Sequence, residues 1–386
     1  MGMRNDVIRM AHGSGGLDTA ELMRDVFSKH FGNEVLDRLE DSAVVDLGTQ
    51  KEPSPLCPKA ETQKEPSPLC SKVAVSTDSF VVTPLVFPGG DIGKLAVCGT
   101  VNDVLMSGAE PRYLTCGFII ETGLSIPLLD DICASLAAAA EEAGVMVVAG
   151  DTKVIEGHGG EGGLMINTTG IGMVHDEGRT PLGIRPGDAV IVSGNLGDHH
   201  AAILSARMGI KNSIASDCAL LTPIILALRG KNIRIHAMRD VTRGGLGTVL
   251  NELAIASGVS VELEEELIPV SRAVRAFCGM MGLDPLYMGN EGKLVLAVPA
   301  GDAERALAAM RGTEIGRDAA LIGTASAAPG FGKEVPAGES GPSCGQSAHA
   351  GNALSGKSCI PVTMRTRIGG TVRVDVLYGE GLPRIC

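Results

Sequence analysis

The groups best able to do chemistry here are a thiol at the very end, carboxylates beside glycines, and a few cations close to them. Cys386 is the last residue, in Pro383-Arg384-Ile385-Cys386. A cysteine there is expected to carry a free carboxylate and to swing on a segment tethered from one side only. The thiolate is the reactive form, and the neighbouring Arg384 favours it electrostatically. A prenylation signal needs three residues beyond the cysteine and is excluded. A frayed end that happens to finish on Cys is the plain alternative.

Four acids fall where strands and helices are predicted to end: Asp78, Asp103 (beside Asn102), Asp151 and Asp240. Oxygen ligands of this kind suit Mg2+, which binds few carboxylates and fills its shell with phosphate oxygens and water. Each acid alone also reads as a helix cap or turn residue. Asp240-Val241-Thr242-Arg243-Gly244-Gly245 is more specific: an acid, a cation and two glycines opening a helix offer a metal ligand, a charge and free N–H groups together. Lys153 lies two residues beyond Asp151-Thr152, and Glu291 sits in Gly289-Asn290-Glu291-Gly292. Both are placed to move protons if they face one pocket. His12-Gly13-Ser14-Gly15-Gly16 is either a flexible linker or a loop whose bare N–H groups approach phosphate.

Other patterns fail. Gly89 to Lys94 is one residue short of a Walker loop, and Leu95 stands where Ser or Thr should bind magnesium. The glycines between 157 and 162 satisfy a dinucleotide fingerprint, but a strand rather than a helix is predicted to follow. There is no hydrolase elbow. The ten cysteines contain no CxxC pair, so a metal-chaperone reading has no local support, and Cys98, Cys116, Cys133 and Cys278 read as buried reduced thiols.

The chain of 386 residues that must position these groups is long enough for two domains. Its core has to come from Ala, Val, Leu, Ile and Met, because aromatics make up 3% and Trp is absent. A net charge of -12 argues against a nucleic-acid surface. No signal peptide and no apolar run of membrane-spanning length is evident, so a cytoplasmic protein is expected.

A helix is predicted over 17–32, with Leu17, Leu22, Met23, Val26 and Phe27 on one face. Gln-Lys-Glu-Pro-Ser-Pro-Leu-Cys occurs at 50–57 and again at 63–70, which reads as a duplicated loop insertion. A strand ending on Asp78, a helix from Asp91 to about 107, a strand over 113–121, a helix over 127–143, a strand over 145–150 ending on Asp151, and a strand over 164–174 make a first unit. The second unit alternates strands at 189–193, 233–240, 259–264, 293–298 and 320–323 with helices at 199–209, 218–229, 245–257, 271–281 and 302–311. Residues 327–360 read as another insertion, and two short strands at 363–368 and 371–377 follow it. The pattern is α/β or α+β in two halves, each expected to have its own core.

Ser76-Thr77-Asp78-Ser79, Asn102-Asp103 with Gly108-Ala109-Glu110-Pro111, Gly150-Asp151-Thr152-Lys153 and Asp240 through Gly245 together resemble the aminoimidazole-ribonucleotide synthetase superfamily of ATP-using enzymes. The terminal Pro-Arg-Ile-Cys with His12–Gly16 narrows the resemblance to the hydrogenase-maturation HypE family, over nearly the whole chain outside 50–71 and 327–360. The resemblance implies two α/β domains with a mobile tail. It divides the chain into an arm and helix (1–35), an ATP-binding and dimerisation domain (36–175, with the 50–71 insertion) and a second domain (176–326). The insertion (327–360), returning strands (361–377) and tail (378–386) complete the chain.

The same resemblance implies ATP and Mg2+ as cofactors, with His12, Gly13, Ser14, Gly15, Gly16, Asn102, Thr152, Arg243, Gly244 and Gly245 on nucleotide and Asp78, Asp103, Asp151 and Asp240 on metal. Cys386, Lys153 and Glu291 would be catalytic. The carbamoyltransferase HypF would load Cys386, ATP-dependent dehydration would give a thiocyanate, and a HypC–HypD complex would take the cyanide onto iron. A homodimer is expected by the same analogy. Competing readings are another enzyme of the fold, such as an aminoimidazole-ribonucleotide synthetase or a thiamine-phosphate kinase, and a non-catalytic thiol carrier. A selenophosphate synthetase is disfavoured because no Cys precedes Cys57.

Overall fold

The computed structural model describes residues 7–9, 12, 22–33, 72–157, 162–174, 183–328 and 361–376. Its organising element is helix α2 (Ile92–Met106), which lies between two β-sheets. Asp91 starts it, accepting hydrogen bonds from Gly93 N at 2.7 Å and Lys94 N at 3.0 Å. Nearly every α2 side chain is buried, as a helix apolar on all sides requires.

The first sheet has the order β1 (Val73–Phe80), β6 (Leu164–Met173), β4 (Glu110–Glu121), β5 (Met146–Ile155). β4 and β5 are parallel and joined by helix α3 (Ile126–Ala143); the other pairs are antiparallel. Ser125 caps α3, Pro127 follows in its first turn, and Gly144 ends it at a φ of 68°. Helices α2 and α3 cover one face of this sheet, while the other exposes Val75, Ile119, Met146 and Ile155. A hairpin of β2 (Val86–Phe87) and β3 (Gly90–Asp91) precedes α2. The preceding segment is π-helical over Met23–Phe27 and α-helical over Ser28–Phe31 (α1). Leu22, Val26 and Phe27 of it are buried, as predicted from spacing; Leu17 lies outside the described residues.

The second sheet has the order β13-β12-β9-β11-β7-β10-β8. Its strands are β7 (Asp188–Val192), β8 (Ala237–Asp240), β9 (Val259–Glu264), β10 (Leu294–Pro299), β11 (Ala320–Ala327), β12 (Val362–Arg365) and β13 (Thr371–Arg373). Helix α6 (Gly245–Ser257) packs with Val190, Val192, Val295 and Ala297 on one face. Helices α4 (Asp198–Arg207), α5 (Thr222–Gly230), α7 (Arg272–Met281) and α8 (Ala303–Arg311) join Ala189, Ile191, Leu296 and Val298 on the other. This alternation along β7 and β10 is the two-residue side-chain period of a strand covered on both faces.

The expectation of a separate core for each half is corrected. Leu95, Val97 and Val101 of α2 belong to one continuous apolar cluster with Ile191, Ala201, Leu221 and Leu296 of the second sheet's layer. The predicted strand ends also shift. β1 runs two residues past Asp78, and β5 runs four past Asp151, so both acids are strand residues rather than end residues. The duplicated loop, the 329–360 stretch and the tail from 377 lie outside the described residues. Among the described residues no helix is long and apolar enough to cross a membrane.

Candidate active site

Three of the predicted aspartates converge on α2. Asp78 points inward from β1 on the same face as Ser76, whose hydroxyl donates to Asp103 Oδ2 at 2.7 Å. A Cβ on Gly99 would lie 2.8 Å from the Phe80 ring and 3.8 Å from Asp78 Oδ2, so α2 meets β1 here with no side chain between them. Asp240 ends β8 of the second sheet and is buried. Burial pushes its carboxyl up to about 7, with Asp103 and Asp78 adding to the effect. Asp78 is raised by burial and then by Asp103, while the Arg243 guanidinium pulls it back.

Asp78 and Asp240 are thus raised first by burial and further by neighbouring carboxylates, a condition that a divalent cation relieves. All are oxygen donors suited to Mg2+. Among the described residues no three His, Cys, Asp or Glu groups stand close enough to hold a metal alone.

Asp151 does not join them. On β5 it pairs with Gly117, and Asp78 on β1 pairs with Thr168, so the two occupy opposite edges of the sheet, three strand spacings or about 14 Å apart. Asp151 and Lys153 point to the uncovered face, where they form an ion pair of 3.0 Å with side chains 68% and 67% exposed. Thr152 points the other way.

Glu291 sits at the junction of the two sheets. Burial pushes its carboxyl well above the usual range, and Asp240, Asp217 and Asp78 add to it. A carboxyl poised nearer protonation suits proton transfer at neutral pH. Its loop is pinned by Asn290, whose Oδ1 accepts from Gly197 N at 2.7 Å and whose Nδ2 donates to Val241 O at 2.9 Å. Lys153 pairs with Asp151 on the uncovered sheet face, whereas Glu291 lies where Asp240, Asp217 and Asp78 act on it, so the fold does not bring the two together within one chain.

The remaining candidates divide. Asn102 is a staple between the two halves: its Nδ2 donates to Ala219 O at 3.0 Å and its Oδ1 accepts from Leu221 N at 2.8 Å. Gly244 (φ 78°) and Gly245 (φ 62°) open α6, and a Cβ on Gly245 would strike Leu286 O at 2.5 Å. His12 is buried and accepts a hydrogen bond from Arg9 N at 3.1 Å on Nδ1. Just before it, Ile8 is tied to Leu124. Gly13, Ser14, Gly15, Gly16 and Cys386 lie outside the described residues.

Sequence reading missed Asp217, Lys293 and His199. Lys293 directly follows the Gly289–Gly292 stretch and was readable as part of it. Asp217 and His199 had only a neighbouring Ser216 and His200 to mark them. His199 shares a 2.7 Å hydrogen bond with Ser216 and is driven down to about 4 by burial; His200 is likewise driven down to about 4, by burial and by His199. Neutral in the fold and protonated in the unfolded chain, each withdraws stability as pH falls from 6.5 to 4, on the order of 3 kcal/mol at full extent. Asp198, pushed up to about 6 by burial, works in the opposite sense and returns stability as pH falls below 6. His200→Gln should therefore lose less unfolding free energy than the wild type between pH 6.5 and 4, as urea titrations across that range would measure.

A family model for AIR synthase related protein, N-terminal domain, matches residues 68–174, and one for AIR synthase related protein, C-terminal domain, matches 185–335. The chain is 44% identical to carbamoyl dehydratase HypE of Azotobacter vinelandii, an alignment covering 100% of this chain and 98% of that one. It is similar to the crystal structure of hydrogenase maturation protein HypE in complex with ATP, at 41% identity, 98% and 99% coverage and a TM-score of 0.80. It is also similar to a chain in the crystal structure of a HypE–HypF complex, at 38% identity, 92% and 99% coverage and a TM-score of 0.68. With two AIR synthase related domains and full-length likeness of this degree, the chain belongs to the HypE family of carbamoyl dehydratases, which act in NiFe-hydrogenase maturation.

Proposed function

We propose that this protein converts an S-carbamoyl group on its own Cys386 to a thiocyanate with ATP, providing cyanide for the hydrogenase iron. The observation that carries the reading is the grouping of Asp78, Asp103 and Asp240 with Arg243 and a Glu291 carboxylate made more basic by burial where the two sheets meet. Dehydrating an amide needs its oxygen made into a leaving group and two protons taken from its nitrogen. Phosphoryl transfer from ATP to that oxygen supplies the first, giving ADP and, after elimination, inorganic phosphate. Mg2+ held by Asp78, Asp103 and Asp240 would neutralise charge on the phosphates. Arg243 would add a fixed cation beside the transferring group. Glu291 would accept a proton from nitrogen, and Lys153 would serve the other transfer.

ATP use is supported by the likeness to the ATP-bound HypE structure, and loading of Cys386 by HypF by the likeness to the HypE–HypF complex. A HypC–HypD complex is the proposed acceptor of cyanide. A homodimer is supported by the uncovered face of the first sheet, where Val75 is 63% exposed and Ile119 and Met146 are also bare. Pairing two such faces would bury these side chains and bring Asp151 and Lys153 of one chain to the other. The buried, unpaired thiols Cys98, Cys116, Cys133, Cys218 and Cys278 agree with a reducing cytoplasmic setting.

The test is the mass of the C-terminal peptide after incubation with HypF, carbamoyl phosphate and ATP. A carbamoyl adduct on Cys386, followed by loss of one water only in the presence of ATP, is expected. An unmodified Cys386 beside a HypF proven active on another HypE would overturn the reading.

A further inference from the structure

We propose that the buried ion pair Asp217–Lys293 is a positioning device for Glu291, fixing where that carboxyl meets the reacting nitrogen. The inference rests on the proton-transfer role proposed for Glu291. Asp217 divides its carboxylate: Oδ1 accepts from Glu291 N at 3.0 Å, and Oδ2 lies 3.2 Å from Lys293 Nζ as an ion pair without hydrogen-bond alignment. Lys293 Nζ also donates to Gly292 O at 3.3 Å. The Glu291 carbonyl accepts from Ala219 N at 3.3 Å. Both backbone groups of Glu291 are thus held by the 217–219 segment.

The fit leaves no slack. A Cβ on Gly292 would lie 2.0 Å from Asp217 O, so only glycine lets the two segments touch. A Cβ on Gly194 would come 3.1 Å from Lys293 Cε, so a second glycine clears the path of the lysine stem. The chain from 217 to 221 is bound in turn to α2 through both ends of the Asn102 amide, at Ala219 O and Leu221 N. Since α2 carries Asp103 and flanks Asp78, the placement of Glu291 against those aspartates runs through Asp217 and Asn102.

The energetics point the same way. The two side chains are 4% and 10% exposed, and an ion pair buried to that degree gains little stability over an apolar pair of the same volume. What it supplies is geometry: two charges paired, with Glu291 N and Gly292 O held by them in a single arrangement. Lys94 and Asp198 line the same cavity of about 490 Å³ as the pair, so it is not isolated from other charges, yet neither makes the Glu291 contact.

The experiment measures ATP-dependent dehydration of protein already carbamoylated by HypF, with Glu291→Gln, Asp217→Ala and the double variant Asp217→Asn/Lys293→Met in parallel. Asp217→Ala should lower kcat roughly 10- to 100-fold, the cost of misplacing a reacting group by about an ångström, with the KM for ATP unchanged within about twofold. The double variant keeps an amide oxygen for Glu291 N and leaves no lone buried cation, and it should recover most of the rate. Should Asp217→Ala fail to fold, the double variant decides: a near-wild-type rate supports the positioning role, and a folded protein as slow as Glu291→Gln overturns it. An unchanged kcat in Asp217→Ala, or a loss confined to KM, overturns it as well. A Glu291→Gln variant at the wild-type rate removes the role of Glu291 and the inference with it, whereas a slow Glu291→Gln beside a fast Asp217→Ala removes the inference alone.

Discussion

Cys386→Ala should yield no carbamoyl adduct and no cyanide, while Glu291→Gln should load normally and then stop, accumulating a carbamoyl-thiol that ATP no longer dehydrates. The first change removes the nucleophile and leaves every described contact of the two sheets untouched, so ATP binding and thermal unfolding should match the wild type. The second retains the size of the side chain and removes its ability to take a proton. General acid–base groups of this kind contribute about 10²- to 10⁴-fold, so dehydration should slow by that order while the HypF step proceeds. Glu291 lies among Asp240, Asp217 and Asp78, and neutralising it removes a repulsive neighbour from the acid cluster. ATP affinity should accordingly hold or improve, which separates a lost proton acceptor from a damaged nucleotide site. Peptide mass spectrometry distinguishes the two arrest points directly. Cyanide release from Cys386→Ala, or dehydration by Glu291→Gln at the wild-type rate, would remove that residue from the scheme.

How far the sequence carried depends on the range over which each signal acts. Helix α3 was legible almost to the residue, because Ser125, Pro127 and Gly144 are local punctuation. The β1 and β5 strands were cut short at Asp78 and Asp151, because an acid reads as a turn or cap signal locally. In the fold each is carried by its strand partners, Thr168 and Gly117. Which way those acids face was not legible: strand periodicity orders neighbours along one chain but does not say which face the helices will cover. Helix α2 shows the limit most clearly. The resemblance assigns its Asn102 to nucleotide and its Asp103 to metal; in the fold Asn102 also holds the second half of the chain, a contact with no local signal, while Asp103 accepts from Ser76. Lys293 has the neighbouring Gly289–Gly292 stretch to mark it, but nothing local pairs it with Asp217, 76 residues away in sequence.

The separation of Lys153 from Glu291 leads to a second large effect. Within one chain, Lys153 projects from the uncovered face of the first sheet, whereas Glu291 lies at the junction on the α2 side. If both move protons in one reaction, the lysine has to come from a partner subunit whose sheet face pairs with this one. Homodimers of Lys153→Ala and of Glu291→Gln should each be close to inactive, since every site in them lacks one group. Unfolding and refolding an equal mixture would make about half of the dimers mixed, and a twofold interface gives each mixed dimer one site with both groups intact. About a quarter of the wild-type rate should return, a gain of an order of magnitude or more over either parent. A mixture as inactive as its parents, with mixed dimers verified by native mass spectrometry, would mean that Lys153 serves its own chain or serves only its ion pair with Asp151. Recovery would assign Asp151 and Lys153 to the neighbouring site. It would also explain why two charged side chains stay two-thirds exposed on a sheet face otherwise bearing Val75, Ile119 and Met146: a site that needs water excluded has reason to draw its last components from the surface that closes over it.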